Sequence, residues 1–353
     1  MKTVYYIPIE PLEERYTEQW YKWFPIEFKE AGVNCITIDG DILTNAIETG
    51  TFLDINSTVF YKSEQLKCIS QLFYEKKVNK DDIFFVADIE FWGIEVIKYL
   101  SVLNDIPIKL YGFCHAASYT REDFMAKTES FAKYHEIAWF NTFDKIFVGS
   151  DYHKSQIQKL RNISKYKIIN TGNPYIIPDL EVYKKKNQIV LTNRPDYEKR
   201  PNLTLDVFEI LKDKHPDWNF VVTTGRKQWG NGWLRDKALL MQSKGIIDIQ
   251  ETLSKDQYFK ILQESKIMTG NSIEENFGYC ILEALMFNTI PIIPNDYSHP
   301  ELLEQNMNCL FNTIEEQIEQ IERAMNYPFH VYSYVEKYKK SFNKIISECL
   351  KIN

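Results

Sequence analysis

Short apolar runs alternate with helically spaced stretches along the whole chain. In the first half the strand-like runs are Thr3–Ile9, Cys35–Ile38, Ile83–Val86, Lys109–Cys114, Lys145–Val148 and Lys167–Asn170. Between them Glu13–Ala31, Ser63–Lys76, Trp92–Leu103 and Arg121–Asn141 carry helical spacing. A turn cluster at Thr171–Pro174, then Pro178 and the charged stretch Tyr183–Asn187, marks a joint. The pattern restarts with strands at Gln188–Thr192, Asn219–Thr223, Ile246–Ile249, Ile267–Thr269 and Ile290–Ile293. Helices fall at Asn202–Lys214, Lys255–Gln263 and Gly278–Phe287, and a loop at Gly225–Trp233. Strands alternating with helices predict an α/β fold with parallel sheets. Residues 1–172 and 173–330 read as two facing Rossmann-like domains with a cleft between them. An amphipathic tail over 331–353, patterned across Val331–Leu350, is expected to pack back toward the first. In such sheets ligands bind beyond the carboxyl ends of the strands, so the loops that follow strands are where chemistry is sought.

Composition narrows the class. With 44% hydrophobic and 26% charged residues in a chain of 353, disorder is excluded as the main state. A formal charge of −7 excludes a uniformly basic nucleic-acid coat protein. The first residues lack the pattern of a signal peptide, and no run is long and apolar enough for a transmembrane helix. Six scattered cysteines without a CxxC pair read as reduced thiols. The expectation is a cytoplasmic protein with no integral membrane contact.

The most informative stretch is Asn271–Ala284, NSIEENFGYCILEA. A strand runs into a loop with two acids and a glycine, and a helix then begins. Gly278 lets backbone approach a ligand, and the helix start offers unpaired N–H groups to an anion. Glu275 lies in the loop and Glu283 about two turns into the helix. The two acids alone also fit a capping arrangement and a solvated helix position. Arg194 and Lys199, after strand Gln188–Thr192, supply cations that a diphosphate leaving group needs, and also fit a solvated loop.

The stretch resembles retaining GT-B glycosyltransferases of the glycosyltransferase family 4 kind, whose C-terminal domain carries S-x-x-E-x-F-G-x-x-x-x-E-A. Ser272, Glu275, Phe277, Gly278, Glu283 and Ala284 match it position by position. Ile189–Pro201 is similar to that family's strand-Arg-Lys segment through Arg194 and Lys199. Gln250–Gln263 and Pro291–Glu301 resemble flanking segments. The resemblance covers residues 165–312. It implies a GT-B fold and a nucleotide-sugar donor, a UDP-sugar first among them, with no further cofactor or metal required. It also implies that Arg194, Lys199, Glu275 and His115 take part in catalysis. Glu283 would hold the ribose hydroxyls, Glu275 the donor sugar, and Ser272, Phe277 and Gly278 would complete the donor site. The family's Gly-Gly loop after the first strand is replaced here by Pro8-Ile9-Glu10-Pro11, and its later glycine appears as Thr224-Gly225-Arg226.

A rival signal is Asp39-Gly40-Asp41, a D-x-D that would hold a divalent metal in GT-A enzymes. It also reads as a solvated turn, which is preferred. For the acceptor, the opening IEPLEERYTEQWYKW is similar to bacteriophage glycosyltransferases that decorate hydroxymethylated pyrimidines in DNA, with Arg15 and Tyr16 as acceptor contacts. The acid-free run Tyr152–Pro178 carries Lys154, Lys159, Arg161, Lys165 and Lys167, and Lys184, Lys185 and Lys186 follow. Such cations fit either a phosphate-tracking rim or a solvated helix face. The first 172 residues carry 20 basic against 24 acidic side chains, so no global bias supports DNA binding. Three readings stand: a transferase acting on modified double-stranded DNA in a host cytoplasm, the same chemistry on a glycan or lipid-linked acceptor, and a non-catalytic nucleotide-sugar binder.

Overall fold

The structure, a computed structural model, describes residues 2–12, 16–44, 54–176, 181, 183–224, 229 and 232–351. The chain divides into two compact units, residues 1–175 with 340–353, and residues 176–339. Each unit is built on its own six-stranded sheet.

In the first unit the strands are β1 (Thr3–Ile7), β2 (Asn34–Thr37), β3 (Ile83–Val86), β4 (Lys109–Phe113), β5 (Lys145–Val148) and β6 (Ile168–Asn170). All pairs are parallel, in the order β2-β1-β3-β4-β5-β6. Successive side chains point to opposite faces, and both faces are apolar because helices cover both. Tyr5, Ile7, Phe84, Val86, Leu110 and Ile146 enter one core cluster. Val4, Tyr6, Ile83, Phe85, Tyr111 and Phe147 enter the other. The second face is closed by helix Tyr16–Glu30, through Trp20, Phe24 and Phe28, and by helix Ser341–Leu350, through Phe342, Ile345, Ile346 and Cys349. Phe24 meets Phe342 edge to face, with ring centroids 5.0 Å apart.

The second unit holds β7 (Lys186–Leu191), β8 (Asn219–Thr224), β9 (Asp248–Glu251), β10 (Ser265–Thr269), β11 (Ile290–Pro294) and β12 (Leu310–Phe311). They too are all parallel, in the order β12-β11-β10-β7-β8-β9. Chain order reverses between β7 and β10, which makes the loops after these two strands the natural ligand site.

The two Rossmann-like sheets agree with the expected fold class, and several element boundaries differ. The tail is not one helix. A short turn at Tyr332–Val335 is followed by helix Ser341–Leu350, because Val331, Val335 and Tyr338 bury in the second unit while Phe342 onward buries in the first. Trp233 opens helix Gly232–Ser243 instead of closing a loop. Helices Asp151–Arg161 and Ile314–Asn326 are additional.

Candidate active site

The loop after β7 runs through Arg194 to a single turn at Tyr197–Lys199 and into helix Pro201–Lys214. The loop after β10 runs through Ser272 and Glu275 to Gly278 and helix Tyr279–Met286. The two loops are bolted together by a backbone bond from Ile273 N–H to the Glu198 carbonyl at 2.8 Å. Beneath them lies a buried amide network. Asn271 Nδ2 donates to Thr204 Oγ1 (3.0 Å) and Gln317 Oε1 (3.1 Å), and Gln317 Nε2 donates to Thr269 Oγ1 (2.8 Å). A satisfied network of this kind holds a loop in one conformation. Asn271 opens the informative stretch, whereas Thr204 and Gln317 escape a motif search because they sit on two other helices.

Lys199 is the hub. Its ammonium donates to Glu275 Oε2 at 2.9 Å, Ser272 Oγ at 3.1 Å and the Glu274 carbonyl at 3.2 Å. Arg194 lies on the same loop, with one guanidinium nitrogen 2.9 Å from Asp196 Oδ2 and another 3.0 Å from Glu198 Oε1. Burial alone would raise the Glu275 carboxyl. Lys199, the nearby His299 and Arg194 more than offset it and hold the group below its ordinary range.

Gly278 caps the helix with φ of +96°, and a Cβ there would sit 3.0 Å from Ile281 Cδ1 and 3.2 Å from Leu302 Cδ1. Only glycine fits both the dihedral and the space. Phe277 is buried edge-on to Tyr279 and Tyr338, so its ring is part of the packing behind the loop. Ser298 ties the loop after β11 to the same segment, its N–H reaching the Glu275 carbonyl (3.3 Å) and its hydroxyl the Phe277 carbonyl (3.1 Å). His299 is buried, donates from Nδ1 to the Pro294 carbonyl (3.0 Å), and is pushed down to about 4, chiefly by burial. It had no signal in the sequence.

Glu283 is buried rather than solvated, at 4% exposure. Lys255 Nζ lies 2.5 Å from one of its oxygens and Tyr258 OH donates to the other at 2.9 Å.

In the first unit the structure joins two residues predicted separately. Tyr16 OH lies 3.3 Å from His115 Nδ1, and His115 Nε2 lies 2.9 Å from the Ala87 carbonyl. A carbonyl only accepts, so Nε2 carries a proton; in the neutral tautomer Nδ1 is then the acceptor for the Tyr16 hydroxyl. The ring packs against Trp20 and Phe113. Just beyond Ala87, Lys62 pairs with Asp88 at 3.2 Å, while burial and Asp88 push Glu90 well above the ordinary carboxylate range. Arg15 lies outside the described residues, as do Gly225 and Arg226. Glu10 is buried and accepts from Ser57 Oγ (2.9 Å) and Thr58 Oγ1 (2.6 Å), so the loop that replaces the Gly-Gly turn is pinned to helix Ile55–Tyr74.

Asp39 and Asp41 are exposed, and Asp39 accepts from Tyr61 OH at 2.6 Å and from Tyr21 OH, which tie this segment to two neighbouring helices. Among the described residues no group of three or more His, Cys, Asp or Glu is placed to hold a metal. The basic run is partly internal: Arg161 is buried between Glu129 (2.5 Å) and Glu136 (2.6 Å). Lys167 donates to the carbonyls of Asn141 (2.5 Å) and Phe143 (2.9 Å), and Lys185 to Ser265 O (2.6 Å) and Thr289 Oγ1 (2.7 Å). All six cysteines are unpaired with one another, and no described helix is long and apolar enough to cross a membrane.

Residues 174–342 match the family described as glycosyl transferases group 1. The lipopolysaccharide outer core galactosyltransferase WaaB has a similar structure, with TM-score 0.69 and 16% identity over 99% of this chain and 100% of that one. Sucrose-phosphate synthase from Thermosynechococcus elongatus gives TM-score 0.69 at 10% identity, covering 98% and 95%. The pneumococcal O-GlcNAc transferase GtfA, in complex with UDP and GlcNAc, gives TM-score 0.60 at 14% identity over 83% of this chain. The chain spans only 61% of that protein's length. No curated protein matches by sequence. Residues 174–342 are thus similar to the glycosyl transferases group 1 family, and the two parallel six-stranded units match the GT-B fold.

Proposed function

We propose that this protein is a retaining glycosyltransferase that moves a hexosyl or pentosyl group from a nucleotide-sugar to a hydroxyl acceptor. The observation that carries the reading is the Lys199 hub. One cation binds Ser272 and Glu275 across two loops at the switch point of a Rossmann sheet, beside a helix start opened by Gly278. As the sugar C1–O bond to the β-phosphate breaks, charge builds on the diphosphate. Lys199, Arg194 and the first N–H groups of helix Tyr279–Met286 are the donors that stabilise it. The diphosphate takes the place of carboxylate partners, above all Asp196 and Glu198 on Arg194. Glu275 accepts from sugar hydroxyls, Glu283 from the ribose diol. The acceptor oxygen forms the new bond to C1, and its proton passes to the leaving phosphate. UDP-sugars are the first donors to test, since GtfA and a TarM variant were each solved with UDP.

His115 and Tyr16 are assigned to the transferred sugar and the acceptor. A saccharide or lipid-linked acceptor is favoured over duplex DNA with hydroxymethylated pyrimidines, because Arg161, Lys167 and Lys185 donate within the protein and leave a thinner basic rim. The test is nucleoside-diphosphate release from a panel of nucleotide-sugars, alone and with saccharide acceptors or 5-hydroxymethylcytosine DNA. The expected result is release stimulated by a saccharide and unaffected by chelator. Stimulation by the modified DNA alone would restore the DNA reading, strict metal dependence would revive Asp39 and Asp41, and failure of every donor to bind would overturn the transferase.

A further inference from the structure

Helix Tyr279–Met286 is apolar except for Glu283: Ile281, Leu282, Ala284, Leu285 and Met286 are all buried. A buried carboxylate is costly unless it is paired and hydrogen-bonded. Both of its oxygens are engaged from one neighbouring helix, Lys255–Glu264, by Lys255 at 2.5 Å and Tyr258 at 2.9 Å. These two residues are three apart, so they share a helix face.

The arrangement is built with some rigidity. Ser254 and Gln257 form a reciprocal capping box that sets the first turn of the helix. The Lys255 ammonium lies 4.7 Å from the centroid of the Phe259 ring, and Phe259 packs in turn on Phe287. A cation at the first helical position opposes the helix dipole, so capping does not account for Lys255 there. Its partner, Glu283, does.

We propose that Lys255 and Tyr258 are positioning residues, which hold the Glu283 carboxylate as an oriented acceptor for the ribose diol of the donor. They thereby set the enzyme's preference for ribonucleotides over 2′-deoxyribonucleotides. The inference rests on the assignment of Glu283 to the ribose. A carboxylate whose plane is fixed by two donors meets a diol in one geometry. One that swings freely loses that discrimination, although the diphosphate and base contacts remain.

The test is calorimetric binding of UDP, CDP, ADP and GDP and of their 2′-deoxy counterparts to the full chain, carrying forward the pair bound most tightly. Wild type should prefer the ribonucleotide by about tenfold or more, the scale of one hydrogen bond to a charged group. Glu283→Gln should collapse that ratio toward one, Tyr258→Phe and Lys255→Met should each reduce it several-fold, and Lys255→Arg should largely retain it. Tyr258→Phe removes only a hydroxyl, so it carries the test if Lys255→Met fails to fold. A ratio that falls in Glu283→Gln but stays at the wild-type value in Tyr258→Phe and Lys255→Met would overturn the positioning role and leave the ribose assignment standing. Equal weakening of both nucleotides in those variants would overturn it likewise. An unchanged ratio in Glu283→Gln, or no binding of any pair, would overturn the ribose assignment itself.

Discussion

Lys199 and Glu275, 76 positions apart in the chain, meet at 2.9 Å between the loops that follow the two central strands of the second unit. Neither loop would hold the pair alone. The cation comes from the loop after β7 and the acid from the loop after β10, and sheet order makes them neighbours.

The first prediction concerns these cations. Lys199→Ala and Arg194→Ala should each lower kcat by on the order of 10²-fold, the usual scale for one lost charge-stabilising donor. Steady-state nucleoside-diphosphate release reads this directly. Rates near wild type in both would remove the loops from the donor site.

Gly278→Ala should cost about 1–3 kcal/mol of stability, because φ of +96° is strained for any residue with a Cβ and the space is already filled. Gly245→Ala is the control, since its φ is +70° and nothing lies within 4 Å of a Cβ there. Chemical denaturation of the pair separates the dihedral cost from the packing cost; equal losses would show that the Ile281 and Leu302 contacts relax freely.

Burial pushes His299 down to about 4, against about 6.5 unfolded. Between these values the unfolded chain binds more protons, so stability rises with pH across that window and is lost as pH falls through it. Glu275 acts in the same direction at lower pH, because its lowered carboxyl stabilises the fold above the ordinary carboxylate range and ceases to do so as it protonates. His299→Gln should flatten the upper part of the slope in urea titrations between pH 4.5 and 7. An unchanged slope would place the titration elsewhere.

Arg161→Met should destabilise the first unit by about 3–5 kcal/mol, because it strands the buried Glu136 carboxylate. Its ordering effect reaches the loop after β4, since Glu136 also accepts from Ser118 N–H at 2.7 Å. A loss under about 1 kcal/mol, the range for surface pairs, would show that water replaces the guanidinium.

Much of this molecule is legible in the chain. The strand runs predict both sheets except for the two-residue edge strand β12, because a strand covered on both faces is apolar throughout and stands out from its polar loops, whereas two residues are too few to make a run. Ser272 through Ala284 is legible because its parts sit on one loop and one helix. What the pattern missed has a common cause. The tail between Val331 and Leu350 keeps helical spacing throughout, yet it breaks near Lys340 because its two ends bury against different units.

The sequence by itself determined which residue types are available and where each strand hands over to a loop. Local spacing and turn chemistry act over a few residues, and they specify Gly278, the capping of helix Lys255–Glu264 and the run of acids beside them. Only the tertiary structure decided what those residues touch. Glu283 is ion-paired to Lys255, Tyr16 reaches His115, and Arg161 lies within the core instead of on a rim. Each of these outcomes depends on which helix covers which face of a sheet. That choice is set by the burial of side chains from the whole unit, so no window of sequence around the residue itself contains it.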